Sequence, residues 1–214
     1  MKLVVFGASG RTGRWILHEA RRTDEVTAFE RAERPLEAHR LFVGDVFDPD
    51  AVAAAMIGQD AVICALGPRH DGPLDLCSRA TRVILQVMHA EGVRRFVCIT
   101  GVMAGHPREH LGMVYRWMEP MMPAAQKSLL DDHRRQEDLI VRSGLDWTIV
   151  RPPRLTDGPI TGRYETGSNI EVGSLAHVSR ADVADFVLRA AREPRWIHRA
   201  VAITATSHAV MDHP

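Results

Sequence analysis

The apolar run Lys2-Leu3-Val4-Val5-Phe6 stops at Gly7-Ala8-Ser9-Gly10-Arg11-Thr12-Gly13, and a helical pattern takes over at once through Arg14-Trp15-Ile16-Leu17-His18-Glu19-Ala20. Strand, glycine turn and helix in immediate succession leave few alternatives, because the helix then begins with its free N–H groups facing the turn. Those donors and the positive end of the helix dipole form an anion site. Glycines let the backbone turn sharply, approach a diphosphate and pack the helix on the strand. The spacing is GxxGxxG, not GxGxxG, so the place between strand and helix carries more weight than the glycines alone. The expectation is a dinucleotide held by Gly7, Ser9, Gly10, Arg11, Thr12 and Gly13.

The alternation continues along the chain. Residues 26–29 and 40–43 are rich in β-branched and aromatic residues and read as the second and third strands. Asp48-Pro49-Asp50 opens a helix, with Asp as cap and Pro in the first turn. The apolar run 61–66 reads as a strand covered on both faces, and 74–90 as a helix from the spacing of Leu76, Ala80, Val83, Ile84, Val87 and Met88. Strands at 95–100, 147–151 and 200–204 and helices at 131–141 and 180–191 complete the series. This order predicts an α/β chain, a single Rossmann domain over residues 1–214 with a doubly wound, mostly parallel sheet and helices on both faces. Residues 106–123 break the pattern with a Met- and aromatic-rich insertion. Its length reads as a lid or pocket wall, with Tyr115, Trp117 and Met118 as substrate contacts.

Lys plus Arg and Asp plus Glu number 27 each, so no global field draws the chain to nucleic acid or an anionic membrane, and a small-molecule substrate is the expected partner. No run is long enough to span a membrane, and the N-terminus lacks a signal peptide's apolar stretch. Cys64, Cys77 and Cys98 form no CxxC pair and read as free thiols of a cytoplasmic protein. His106 and His110 stand four apart, but His-Pro-Arg-Glu-His lacks the zincin order, so no metal is expected. Ser9 and Ser128 lack a nucleophile elbow. Asp131 and Asp132 read as cap or dipole partners at a helix start. A monomer and a small homo-oligomer both fit the sequence.

At the end of the second strand stand Glu30 and Arg31, where such a fold separates the two nicotinamide cofactors. An acid accepts from the ribose 2′-hydroxyl of NAD, and an arginine pairs with the 2′-phosphate of NADP. With Arg11 read on the same adenosine side, two guanidinium groups favour NADP over NAD.

The glycine loop, Val43-Gly44-Asp45-Val46, Ala65-Leu66-Gly67-Pro68-Arg69 and Ser143-Gly144-Leu145-Asp146-Trp147-Thr148-Ile149-Val150-Arg151-Pro152-Pro153 resemble, in order, the atypical short-chain dehydrogenase/reductases. The look is nearest to the biliverdin reductase B or flavin reductase group, within a superfamily that includes NmrA-like members. The resemblance implies adenine contacts at Asp45 and Val46. It implies a loop along the cofactor's ribose and phosphates at Leu66, Gly67 and Arg69. Thr100 and Gly101 would stand beside the nicotinamide, with Pro152, Pro153 and Arg154 over its carboxamide.

Departures narrow the chemistry. Short-chain dehydrogenases that reduce ordinary carbonyls use a Tyr with a Lys four residues on, the Lys lowering the Tyr pKa. Tyr115 has Glu119 there, and Gly101 stands where the usual Ser partner is found. Where many relatives carry the Lys, this chain has His133, as the biliverdin reductase B group does. The expectation is an NADPH-dependent reductase of a planar conjugated acceptor, of flavin, bilin or quinone type, with His133 and Thr100 as catalytic residues. The rival is a nicotinamide-binding regulator or redox sensor that binds the dinucleotide without turnover.

Overall fold

The computed structural model describes residues 1–67, 72–105, 119–168, 170 and 172–206. Strand β1 (Lys2–Phe6) leads into helix α1 (Arg11–Ala20), followed by β2 (Glu25–Glu30), β3 (Arg40–Val43), α2 (Pro49–Met56), β4 (Ala61–Cys64), α3 (Leu76–Glu91) and β5 (Arg95–Ile99). Helix α4 (Ala124–Val141), β6 (Asp146–Arg151), β7 (Arg154–Thr156), β8 (Tyr164–Gly167), β9 (His177–Ser179), α5 (Arg180–Arg192) and β10 (Arg199–Ala205) complete the order. The main sheet runs β3-β2-β1-β4-β5-β6-β10-β8, parallel except for the last pair, and β7 and β9 form a small parallel pair. The strand order reverses between β1 and β4, and a crevice opens there beyond the carboxyl ends of the strands.

Period-two alternation explains the two covered faces. Leu3 and Val5 of β1 face one core with Ile16 and Leu17 of α1 and Phe186 of α5. Val4 and Phe6 face the other, with Val52 of α2, Ile84 and Met88 of α3 and Ile140 of α4. In the central strands β4 and β5 every residue is buried, the apolar runs 61–64 and 96–99 together with Arg95. Asp48 caps α2 by accepting from the Asp50 N–H at 3.0 Å, with Pro49 in the first turn, as expected. Arg95 enters the core with its guanidinium on the Ala190 and Ala191 carbonyls at the end of α5 and on the Thr148 hydroxyl. Burial lowers its pKa to about 10.

Two expectations change. Helix α4 begins at Ala124, not at 131, because Ala, Gln, Lys and Leu over 124–130 are strong helix formers even where the apolar stripe is thin. Asp131 and Asp132 therefore lie inside the helix rather than at its start. Asp132, 2% exposed, caps a different helix: it accepts from the Cys77 and Ser78 N–H groups at 2.9 and 3.2 Å, in the first turn of α3. The second change is the set β7, β8 and β9, strands of three or four residues that carry too little pattern to be read. Tyr115, Trp117, Met118, His106, His110 and Arg69 lie outside the described residues. Of the 106–123 insertion, residues 119–123 are described, including the 3-10 turn Glu119–Met121 and a Met121 that is 85% exposed. Among the described residues no helix is long and apolar enough to cross a membrane.

Candidate cofactor site

The glycine loop is built to a tolerance below a methyl group. Gly7 has φ +79°, and a Cβ there would stand 2.6 Å from the Ala65 carbonyl oxygen at the end of β4. A Cβ on Gly13 would overlap the Gly7 oxygen and stand 2.8 Å from that of Ala8. The loop closes through Gly10 N–H to the Gly7 carbonyl at 3.0 Å. Gly10 caps α1 without a side chain, so the first-turn amides of Arg11, Thr12 and Gly13 have no acceptor among the described residues. Thr12 is half-buried in that turn. Free amides, a helix dipole and a loop from which side chains are excluded fit a diphosphate.

Beside the loop, at the switch point between β1 and β4, a cleft of about 300 Å³ is lined by Gly7, Ser9, Gly10, Glu30, Arg31, Asp45, Val46, Leu66 and Gly67, residues expected from the sequence. Phe29, Phe47, Pro73 and Leu76 complete its apolar walls, and the sequence reading had not picked them out. Phe47 is held by the Arg79 guanidinium 4.5 Å above its ring. Asp45 turns the chain there by accepting from the Phe47 N–H at 2.9 Å. The Glu30 carboxylate is engaged by Ser9, through its N–H at 2.5 Å and its hydroxyl at 2.9 Å. Arg31 is exposed and has no carboxylate partner among the described residues.

Arg11 departs from expectation. Its guanidinium pairs with Asp157, in the segment after β7, and Arg180 of α5 meets the other oxygen of that carboxylate at 2.8 Å. Arg11 does not line this cleft, because the first residue of α1 projects toward the β7 side. Arg31 alone represents the arginine pair there.

At the far end of the crevice, β5 and β6 are sewn together by Thr100 N–H to the Val150 carbonyl at 2.9 Å and Val102 N–H to that of Pro152 at 3.1 Å. This sets Thr100 and Gly101 next to Pro152, while Pro153 is half-buried and Arg154 opens β7 on the surface. Thr100 donates its hydroxyl proton to Glu137 Oε1 at 2.7 Å. Glu137, 3% exposed, also receives Arg151 Nε at 3.0 Å and Nη2 at 2.5 Å in a two-pronged pair. A Cβ on Gly105 would stand 2.6 Å from the Arg151 guanidinium, so the glycine makes room for it. Neither Glu137 nor Arg151 was singled out from the sequence. The signal was there: His133, Gln136, Glu137 and Ile140 stand at helical spacing, which puts an acid on the buried stripe of α4.

His133 lies on that stripe with Nδ1 3.0 Å from Gln136 Oε1. Gln136 uses its amide N–H groups on the Thr81 hydroxyl and the Cys98 sulfur, at 2.9 and 3.3 Å. Its oxygen is therefore the acceptor, which assigns the imidazole proton to Nδ1 and leaves Nε2 as an acceptor in the neutral ring. The three cysteines are free and buried, as expected, and burial pushes the Cys77 and Cys98 thiols up and keeps them inert. No group of ligating side chains among the described residues is arranged for a metal.

Known proteins share this architecture. The anaerobillin reductase ChuY of Escherichia coli O157:H7 superposes with a TM-score of 0.80 at 25% identity, covering 97% of this chain and 98% of its own. A Rossmann-fold NAD(P)-binding family protein from Shigella flexneri gives 0.72 at 25% identity, over 100% and 97% of the two chains. In sequence, the chain is 27% identical over 216 residues to the "uncharacterized sugar epimerase YhfK" of Bacillus subtilis, 95% of this chain and 94% of that one. The profile of the NAD(P)H-binding family matches residues 7–194, through the glycine loop, the cleft and the β5 and β6 ends, and the chain belongs to that family.

Proposed function

We propose that the chain is an NADPH-dependent reductase of a planar conjugated acceptor, of flavin, bilin or quinone type. The observation that carries this reading is the state of the polar groups at the β5 end. Thr100 donates its hydroxyl hydrogen bond to Glu137, and His133 donates Nδ1–H to Gln136, so neither directs that N–H or O–H at a substrate. Reduction of an ordinary ketone needs such a donor at the developing alkoxide. A conjugated acceptor spreads the incoming charge over its ring system and collects its proton from water. Bound NADPH would supply a hydride and leave as NADP⁺, the acceptor gaining two electrons and one proton from it and the second proton from solvent.

The chain's own work is then binding, orientation and exclusion of water. The α1 amides would hold the diphosphate, Leu66 and Gly67 would let the ribose lie close, and Thr100, Gly101, Pro152 and Pro153 would fix the nicotinamide face. Tyr115, Trp117 and Met118 would cover the acceptor. Arg31 would pair with the 2′-phosphate and set NADPH above NADH. Glu30, its oxygens already engaged by Ser9, competes less well for a ribose 2′-hydroxyl. The bilin reductase among the structural neighbours supports the acceptor class. Sugar epimerisation, which the name of the Bacillus subtilis relative implies, needs a base that takes a hydroxyl proton and returns it, and Tyr115 has Glu119 instead of Lys four residues on.

The test is NADPH oxidation with FMN, biliverdin and a naphthoquinone, for wild type and His133→Ala. At least one acceptor should turn over, with NADPH preferred to NADH. Tight NADPH binding without turnover of any acceptor would replace the reductase with a dinucleotide sensor, and loss of turnover in His133→Ala at unchanged NADPH affinity would make His133 a proton donor and remove the basis of this reading.

A further inference from the structure

A hydroxyl has one proton and two lone pairs, and which of them faces a ligand is decided by its other partner. At Thr100 that partner is Glu137. A carboxylate held by both prongs of the Arg151 guanidinium can only accept, so the Thr100 proton points down into the pair and cannot turn outward. Glu137 has 5% of its side chain exposed and Arg151 13%, so water does not compete for the bond, whereas Thr100 itself is half-exposed at the carboxyl end of β5. The Arg151 guanidinium is in turn seated against Gly105, where a side chain would displace it.

We infer that Glu137 is a positioning residue that makes Thr100 a hydrogen-bond acceptor toward the crevice, and that the site thereby selects acceptors presenting an N–H group over those presenting only carbonyls. This rests on the reductase reading and divides its substrate class. The imide of a flavin and the lactam and pyrrole groups of a bilin carry N–H donors that match a Thr100 lone pair. A quinone offers only carbonyl oxygens, which would face that lone pair without a proton between them and lose the hydrogen bond each had in water. Glu137 touches no substrate and acts through the orientation of one proton.

The chain itself offers a way to invert the preference. In Glu137→Gln, with the amide oxygen kept on Arg151 Nη2, the NH₂ group takes the place of Oε1, where it faces Thr100 and gives up the bond from Arg151 Nε. The hydroxyl then accepts from the amide and turns its own proton outward. Acceptor selectivity is the readout, because loss of a purely structural ion pair would slow every acceptor in parallel. In steady-state assays with NADPH, wild type should favour FMN and biliverdin over a naphthoquinone. Glu137→Gln should move the ratio of kcat/KM values toward the quinone by about tenfold or more. Thr100→Val, which keeps the shape and removes the hydroxyl, should lower kcat/KM for FMN and biliverdin more than for the quinone, beyond any loss common to all acceptors through the nicotinamide. The double variant should show the Thr100→Val ratio, since Glu137 then has nothing to orient. An unaltered ratio in Glu137→Gln, or an equal fall for all acceptors in both single variants, would overturn the inference. If wild type turns over no acceptor, the reductase reading fails by itself. The proton polarity is then read from binding of FMN and the naphthoquinone to the NADP⁺-loaded protein by fluorescence quenching. There, a preference for FMN that is lost in both Thr100→Val and Glu137→Gln supports the inference, and equal affinities in wild type reject it.

Discussion

The two ends of the crevice are built in different ways. At the glycine loop the main chain itself does the shaping: Gly7 and Gly13 are packed against backbone oxygens so closely that no Cβ fits, and the groups offered to a ligand are amides. At the β5 and β6 ends the shape comes from side chains on three separate elements, Thr100, Glu137 and Arg151, joined by hydrogen bonds and one ion pair. A backbone site tolerates no added atom but depends on no particular side chain. A side-chain site tolerates atoms but depends on every partner being present.

Substitutions that break each end in its own currency test the contrast. The largest effect is expected for Arg151→Met, which leaves the Glu137 carboxylate buried without its cation. Unfolding free energy should fall by about 3 kcal/mol, at the lower end for a broken buried pair because Arg151 is partly exposed. Thermal denaturation should show it as a drop of roughly 6–12 °C. Next comes Gly13→Ala, where one methyl group meets the Gly7 and Ala8 carbonyls. A cost of about 2 kcal/mol is expected, together with loss of measurable NADPH binding by titration calorimetry. An alanine tolerated at position 13 with full cofactor affinity would break the comparison.

Two smaller effects sharpen it. Arg31→Ala should weaken NADPH about tenfold and leave NADH unchanged, since one surface charge-assisted contact to the 2′-phosphate is removed. Equal weakening of both cofactors would contradict the assignment. Last, Gly67→Ala should leave stability within about 0.5 kcal/mol, because nothing stands within 4 Å of a Cβ there. Cofactor affinity should nevertheless fall, if the open space at Gly67 is reserved for the ribose. A glycine neutral for folding but costly for binding is a ligand glycine, unlike Gly13, and the pair of measurements separates the two kinds.

The same contrast decides what could be read from the sequence. The backbone end was legible: a strand, three spaced glycines and a helix are contiguous, and their chemistry follows from local geometry. Glu30 and Arg31 were legible as residues ending the second strand, and Asp45, Val46, Leu66 and Gly67 only through the family resemblance; one cleft is lined by all six. The side-chain end was legible only in part. Thr100 ends a strand that was read and was set beside the nicotinamide by the resemblance, but its partner Glu137, within the stretch already read as helix, was not recognised on the buried stripe. Arg11 was misplaced because sequence proximity to the loop does not tell which way the first residue of a helix projects. It met Asp157, far along the chain, in a segment with no readable pattern.

The cap that Asp132 provides across helices has a bearing on how the molecule breathes. First-turn amides of a helix normally exchange with solvent early, because nothing inside the helix holds them. Those of Cys77 and Ser78 are held by a carboxylate belonging to α4. To open the start of α3, and with it the Leu76 wall of the cleft, the chain must break these bonds to α4, the helix that carries Glu137 and His133. Opening at the start of α3 is thus coupled, through Asp132, to the helix that anchors the Thr100 end of the sheet.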